Sequence, residues 1–150
     1  MKKFALSAVF LFSLILSAQG QSFEAAFDFS LFQTPERDHY LETYVTVNAE
    51  TLTFISKGNE FEAGAEVMVL VKNPQNPEEI ITFDKYDVKT APVATAEGNG
   101  FDLTALRRFA VPPGDYLVEV VVKDLNKPES KIQFADENLT VPAQPNVLSD

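Results

Sequence analysis

The sequence predicts an all-β protein, built as two antiparallel sheets packed face to face. Beyond the N-terminus, apolar residues recur at every second position, which is the spacing of a strand with one buried face. Gly, Pro, Asn and Asp interrupt these runs at short intervals, as turns do. After the N-terminal stretch, no segment shows the apolar spacing of an amphipathic helix.

The first 20 residues predict a signal peptide that is cleaved. Lys2 and Lys3 provide a positive start, residues 4–18 are apolar apart from three serines, and Ala18-Gln19-Gly20 offers small residues where signal peptidase reads them. An uncleaved anchor helix is the alternative, but about 15 apolar residues fall short of the roughly 20 that span a bilayer. We therefore expect export by the Sec pathway to the periplasm or the cell exterior, with no membrane insertion after cleavage.

Charge and cysteine content narrow the class of protein. The whole chain has 12 basic and 22 acidic residues, and loss of Lys2 and Lys3 leaves 10 basic residues and a net charge of −12. Such acidity disfavours nucleic acid and anionic lipid as partners, because phosphate binding needs clustered Lys and Arg. The chain has no cysteine, which excludes disulfides and a lipid-modified N-terminal cysteine and favours a bacterial envelope protein over a disulfide-stapled secreted domain.

Period-two spacing predicts about eight strands between residues 21 and 141, with residues 142–150 as a tail or the start of a linker. The predicted strands are Phe23 to Leu31, His39 to Val47, Thr51 to Ser56, Phe61 to Lys72, Ile80 to Lys89, Phe101 to Val111, Tyr116 to Val122 and Ser130 to Val141. Phe101 to Val111 is also compatible with one helical turn, but we favour an edge strand. These strands are joined by a predicted hairpin turn at Lys57 to Glu60, a polar connection at Asn73 to Glu78 and a loop or weak edge strand at Thr90 to Gly100.

The strand from Tyr116 to Val122 is the expected centre of the fold. Tyr116, Val118, Val120 and Val122 alternate toward the core, and burial of each valine contributes about 1.5–3 kcal/mol. A type II turn is predicted before it, with Gly114 at the position that needs positive φ. Leu117 and Val121 lie on the second face. They mark a docking surface if they are uncovered, although we favour coverage by the second sheet or a loop.

The number of strands and the turn spacing are typical of a sandwich of the immunoglobulin or fibronectin type III kind. An up-and-down barrel is the alternative architecture.

Few residues are candidates for chemistry. His39, the only histidine, follows Asp38, and no serine lies in a G-x-S-x-G motif, so we assign no catalytic residue. Asp124, Asn126 and Glu129 place oxygen ligands at a turn, as a weak calcium site would. These residue types also stabilise turns by themselves, which is the interpretation we favour, and we assign no metal and no cofactor.

Three tyrosines alternate with polar residues and are expected to line an outer face suited to sugar or peptide contact, although cross-strand packing is the commoner role. They are Tyr40, Tyr44 and Tyr86. Asn138-Leu139-Thr140 matches a glycosylation sequon, which is incidental in a bacterial protein.

Three stretches together carry a resemblance to a known group. They are P-E-R-D-H-Y-L-E-T-Y-V-T-V (35–47), F-D-L-T-A-L-R-R-F-A-V-P-P-G-D-Y-L-V-E-V-V-V-K-D-L-N (101–126) and the terminal N-V-L-S-D. The chain resembles the N-terminal region of exported Bacteroidota proteins, including the GWxTD-domain group, over nearly all of residues 23–150. The resemblance implies a β-sandwich and an envelope location, and no catalytic residue.

The G-W-x-T-D motif itself is absent, and the chain stops at Asp150 where those proteins continue. These departures are what one domain of a longer product, or a truncated reading frame, would show.

Taken together, the sequence predicts an exported, non-catalytic module for protein binding or structural support in the bacterial envelope. Its expected partner is another envelope protein or a further domain of the same product. A hydrolase, or an accessory domain acting on polysaccharide or peptide, is the alternative. A concave pocket with two convergent carboxylates, or His39 beside a serine, would favour that alternative.

Overall fold

The computed structural model describes residues 23–36, 38–96 and 100–143, and their fold is all-β with antiparallel sheets. The strands are β1 (Ala25–Gln33), β2 (His39–Asn48), β3 (Ile55–Lys57), β4 (Glu60–Glu62), β5 (Gly64–Asn73), β6 (Asn76–Lys89), β7 (Asp102–Ala110), β8 (Gly114–Asp124), β9 (Lys131–Gln133) and β10 (Glu137–Val141). A 3₁₀ turn at Ala49–Thr51 follows β2. The predicted signal peptide lies outside the described residues, as does most of the predicted tail.

The strands form two main sheets and a small hairpin. One sheet has the order β1-β2-β7, and the other has the order β10-β8-β5-β6 with β9 also paired to β8. The β3–β4 hairpin turns at Gly58, which has a φ of +71°, as predicted for Lys57 to Glu60. Three neighbouring pairs, β2 with β7, β5 with β8 and β8 with β10, are not consecutive in the chain, whereas an up-and-down barrel would require sequential neighbours throughout.

The two main sheets share one hydrophobic core. Strand β2 contributes Leu41, Val45 and Val47, and β8 contributes Val118, Val120 and Val122, all of which are buried. The predicted inward face of β5 is also confirmed. It buries Ala65, Val67, Val69 and Val71, with Ala63 just before the strand. Because every second residue of these strands reaches the core, period two identified the buried face correctly.

Several boundaries differ from the prediction. The segment expected to be a strand at Thr51 to Ser56 begins at the end of the 3₁₀ turn and becomes a paired strand only at Ile55. The last predicted strand is divided into β9 and β10, which both pair with β8 and are separated by residues 134–136. The predicted strand from Phe61 to Lys72 is also divided, into β4 and β5 with Ala63 between them, so the described part of the structure has ten strands where about eight were expected.

Two connections are also corrected. The polar connection predicted at Asn73 to Glu78 is a tight turn at Pro74 and Gln75, so β6 starts at Asn76. Before β8, Gly114 has positive φ as expected, but its value of +154° is far from the roughly +80° of a type II turn. Gly114 is already the first residue of the strand, so the type II assignment is wrong.

Candidate functional site

His39 begins β2 and lies at one end of the β1-β2-β7 sheet. With Asp38, Pro112 and Pro113 it lines a surface cavity of about 290 Å³. Within the described part of the chain, no serine lines this cavity. Among the described residues, this cavity therefore does not place a serine with His39, as the alternative function would require.

Asp124 and Asn126 make hydrogen bonds that organise the turn after β8. The Asp124 carboxylate accepts from the backbone N–H of Asn126 and of Thr53, each at 2.8 Å. The Asn126 amide donates to the backbone carbonyls of Thr53 at 2.8 Å and Glu62 at 3.3 Å. Glu129 is exposed. The side chains of Asp124 and Asn126, which were candidate calcium ligands, thus hydrogen-bond to the backbone of their own turn and of distant segments. This is the stabilising role that we favoured for these residues from the sequence.

Two carboxylates line one shallow cavity at the other end of the β1-β2-β7 sheet. The cavity has a volume of about 410 Å³, and Glu24 and Asp102 line it with Thr46 and Asn48. The Asn48 amide donates to the Glu24 carboxylate at 3.1 Å. A second cavity, of about 230 Å³, also carries a pair of acids, Glu66 and Asp124, but Lys85 and Lys123 line it with them.

Tyr40 and Tyr44 lie on the outer face of the β1-β2-β7 sheet, as predicted, on either side of Glu42. The Tyr44 hydroxyl donates to the buried Glu42 carboxylate, and Arg108 Nε donates to it at 2.6 Å from β7. These two hydrogen bonds, that of Tyr44 first, hold the pKa of Glu42 below its usual range. The Arg108 guanidinium also lies 5.8 Å from the centre of the Tyr40 ring. The polar groups of Tyr44, Glu42 and Arg108 on this face therefore satisfy one another's hydrogen bonds.

Tyr86 is not on an outer face, so that prediction is wrong. Its ring packs against the core from the inner side of β6, and its hydroxyl is buried with no hydrogen-bond partner among the described residues. Burial raises the pKa of Tyr86. The Arg107 guanidinium covers the ring at 4.0 Å from its centre and pairs with Asp84 at 3.3 Å, which closes the gap between β6 and β7.

The outer face of β6 carries exposed apolar side chains instead. Ile80, Ile81 and Phe83 are 48%, 45% and 62% exposed, and we call these three residues the β6 patch. Strand β6 is at the edge of its sheet. Leu117 is half-buried and Val121 is buried, in agreement with the coverage favoured from the sequence, and the exposed apolar residues lie two strands away, on β6.

A β-bulge brings two consecutive residues of the β6 patch to the surface together. Thr82 pairs with Val71 and Ile80 pairs with Lys72, which leaves Ile81 between them without a partner on β5. Because a bulge places an extra residue in one strand, adjacent side chains no longer point to opposite faces. Ile80 and Ile81 are therefore both exposed although they are consecutive. No signal in the sequence marks this bulge.

Beside the β6 patch lies a buried ionic network. Lys72 Nζ donates to Glu119 at 2.5 Å and to Asp136 at 2.9 Å, and Gln133 donates to Glu119 at 2.6 Å. Burial acts to lower the pKa of Lys72, but the hydrogen bonds from Lys72 to its two carboxylate partners outweigh it, so the net shift is upward. The positive charge nearest the patch is thus already neutralised.

Sequence reasoning missed the role of the Tyr116 hydroxyl. It donates to the backbone carbonyl of Pro112 at 2.9 Å, four residues upstream, at the start of β8. The signal was present in P-P-G-D-Y, where a tyrosine follows a turn at the start of the central strand.

A scan against protein-family models found no match, and a search of curated proteins found none either. Within residues 23–36, 38–96 and 100–143, no helix has the length and hydropathy needed to cross a bilayer.

Proposed function

We propose that this chain is an exported, non-catalytic module that binds another protein of the bacterial envelope through the β6 patch. The patch is the observation that carries the proposal. Three large apolar side chains lie together on an edge strand, and contiguous exposed apolar surface is typical of protein interaction sites. Export is supported by the n-region, apolar stretch and small residues of the first 20 positions.

The same proposal includes an immunoglobulin-type or fibronectin type III-like sandwich. In the immunoglobulin plan, strands A, B and E share one sheet with D, strands C, F and G form the other, and an added strand C′ lies beside C. Assigning β1, β2 and β7 to A, B and E, and β5, β8 and β10 to C, F and G, gives the strand order of both sheets with β6 in the place of C′, and strand D has no counterpart among the described strands.

The hydrogen bond from Tyr116 to Pro112 supports this assignment. Immunoglobulin-like sandwiches carry a tyrosine at the start of strand F whose hydroxyl bonds to the backbone a few residues upstream. Tyr116 occupies that place in β8. Binding through the edge and face of such a sandwich requires no catalytic group.

The test is capture of partners from a bacterial envelope extract on the immobilised chain, with the Phe83→Ser variant in parallel. Leu106→Ser is the matched control, because Leu106 is also exposed but lies on the other sheet. We expect a protein that the native chain and Leu106→Ser retain and Phe83→Ser loses. Titration with that purified protein should give a Kd at least about tenfold higher for Phe83→Ser. Equal retention by Phe83→Ser contradicts the proposal.

The second candidate function is a hydrolase or accessory domain for polysaccharide or peptide. The cavity that Glu24 and Asp102 line favours it, because glycoside hydrolysis uses two carboxylates that flank the substrate. Assays of the exported chain on cell-wall polysaccharide and on denatured protein test this candidate. Activity that disappears in both Glu24→Gln and Asp102→Asn would support it, and activity that survives both would reject a role for this cavity.

A further inference from the structure

We propose that the occupant of the β6 patch is a protein segment whose apolar side chains are flanked by Lys or Arg. This inference rests on the proposed function and adds the chemistry of the partner. It follows from the charges around the patch, from the shape of the β6 edge and from the net charge of the chain.

The rim of the patch is acidic. Glu78 and Glu79 lie directly before Ile80, and both are exposed. No ion pair joins either of them to a cation in the described residues, and Glu79 accepts only from the Asn73 amide, at 2.8 Å. Two carboxylates beside exposed apolar side chains favour a partner with complementary positive charge.

The nearby cations do not cancel this charge. Lys72 is bound by Glu119 and Asp136, and Lys85 pairs with Glu66 at 2.7 Å. On the inner side of β6, Arg107 is likewise paired with Asp84. An approaching segment therefore meets carboxylates without an ion pair at the start of β6, whereas Lys72, Lys85 and Arg107 are already paired.

A second copy of this chain fits the patch poorly. The chain has a net charge of −10, so two copies repel each other, and a contact between two patches brings the same carboxylates together. Pro77 and the bulge at Ile81 also interrupt the start of the β6 edge, and both features oppose strand-to-strand pairing. The face of the patch, rather than its backbone edge, is the surface that remains for docking.

The experiment uses three synthetic 12-residue peptides, which alternate Leu with Lys, Leu with Glu, and Ser with Lys. Binding to the full chain is measured by fluorescence anisotropy at several salt concentrations. We expect the Leu/Lys peptide to bind more tightly than the other two. Phe83→Ser should weaken its binding at least about tenfold. The Glu78→Gln/Glu79→Gln variant should weaken it about three- to tenfold and reduce its salt dependence.

Two variants serve as matched controls. Leu106→Ser removes an exposed apolar side chain from the other sheet, and Glu137→Gln removes an exposed carboxylate from the far edge of the same sheet. Both should leave the affinity for the Leu/Lys peptide within about twofold.

Three results would overturn the inference. They are equal binding of the Leu/Glu peptide, unchanged binding of the Leu/Lys peptide to Phe83→Ser, and a native dimer in sedimentation that Phe83→Ser dissociates. Failure of the peptides to bind also rejects the basic partner. A Phe83-dependent partner captured from the envelope extract would still support the proposed function, so the two failures are distinguishable.

Discussion

The Tyr116 hydroxyl donates the hydrogen bond to the Pro112 carbonyl that fixes the corner between β7 and β8. Tyr116→Phe keeps the ring against the core and removes only the bond to the Pro112 carbonyl. We expect a loss of about 0.5–1.5 kcal/mol in the free energy of unfolding, measured by urea titration. Tyr40→Phe is the control and should change stability by less than about 0.5 kcal/mol. Equal effects of the two substitutions would contradict the special role of Tyr116.

Thr43 is a polar residue inside the core. It is fully buried on the inner face of β2, and its hydroxyl has no hydrogen-bond partner among the described residues. Thr43→Val replaces the hydroxyl by a methyl group of similar size and removes an unsatisfied polar atom. We expect the free energy of unfolding to rise by about 1 kcal/mol, seen as a higher thermal midpoint. A destabilised variant would show that the hydroxyl is satisfied in solution.

Glu42 makes stability depend on pH in a defined direction. Its pKa is lowered in the folded state, chiefly by the Tyr44 hydroxyl and then by Arg108. The stabilisation is therefore fully present above the unfolded pKa of about 4.5 and is lost as pH falls through the lower folded value. We expect Glu42→Gln to be less stable than the native chain at pH 7 and the difference to shrink below about pH 4.5. Urea titrations of both proteins from pH 7 to pH 3 measure this, and a constant difference would reject it.

At the scale of elements, the Lys72 network joins β5 to β8, β9 and the segment before β10. Lys72→Ala leaves the buried Glu119 without its cation, so we expect a loss of about 3 kcal/mol in the free energy of unfolding. Lys57→Ala is the matched control, because the Lys57–Glu62 pair is exposed and should contribute less than about 1 kcal/mol. Similar losses in the two variants would mean that burial does not strengthen the network.

Strand β6 shows what alternation along a single strand can predict and what it cannot. Both of its faces carry large apolar or aromatic residues, with Ile81 and Phe83 on one side and Tyr86 and Val88 on the other. Alternation separates the two sets but does not say which one meets the core. The position of β6 at a sheet edge, with Arg107 over Tyr86, decides that Tyr86 faces inward.

At the scale of the whole molecule, both sheets depend on one core. Val120 is fully buried in β8, in the cluster that residues of both sheets form. Val120→Asp places a carboxylate there without a partner, so we expect the folded state to be lost in both sheets together. Circular dichroism should show a disordered spectrum with no cooperative thermal transition. A soluble variant that unfolds cooperatively would mean that the assigned inner face is wrong.

The sequence by itself determined where most strands lie, though not all of their boundaries, and which faces of β2, β5 and β8 are buried, because period-two alternation is a local property of an extended chain. Only the tertiary structure decided which strands pair, that Tyr86 faces the core, that a bulge exposes Ile80 beside Ile81, and that Arg108 meets a carboxylate 66 residues away. These features depend on contacts between segments distant in the chain. Hydrophobic patterning requires that such contacts form, but it does not specify the partners.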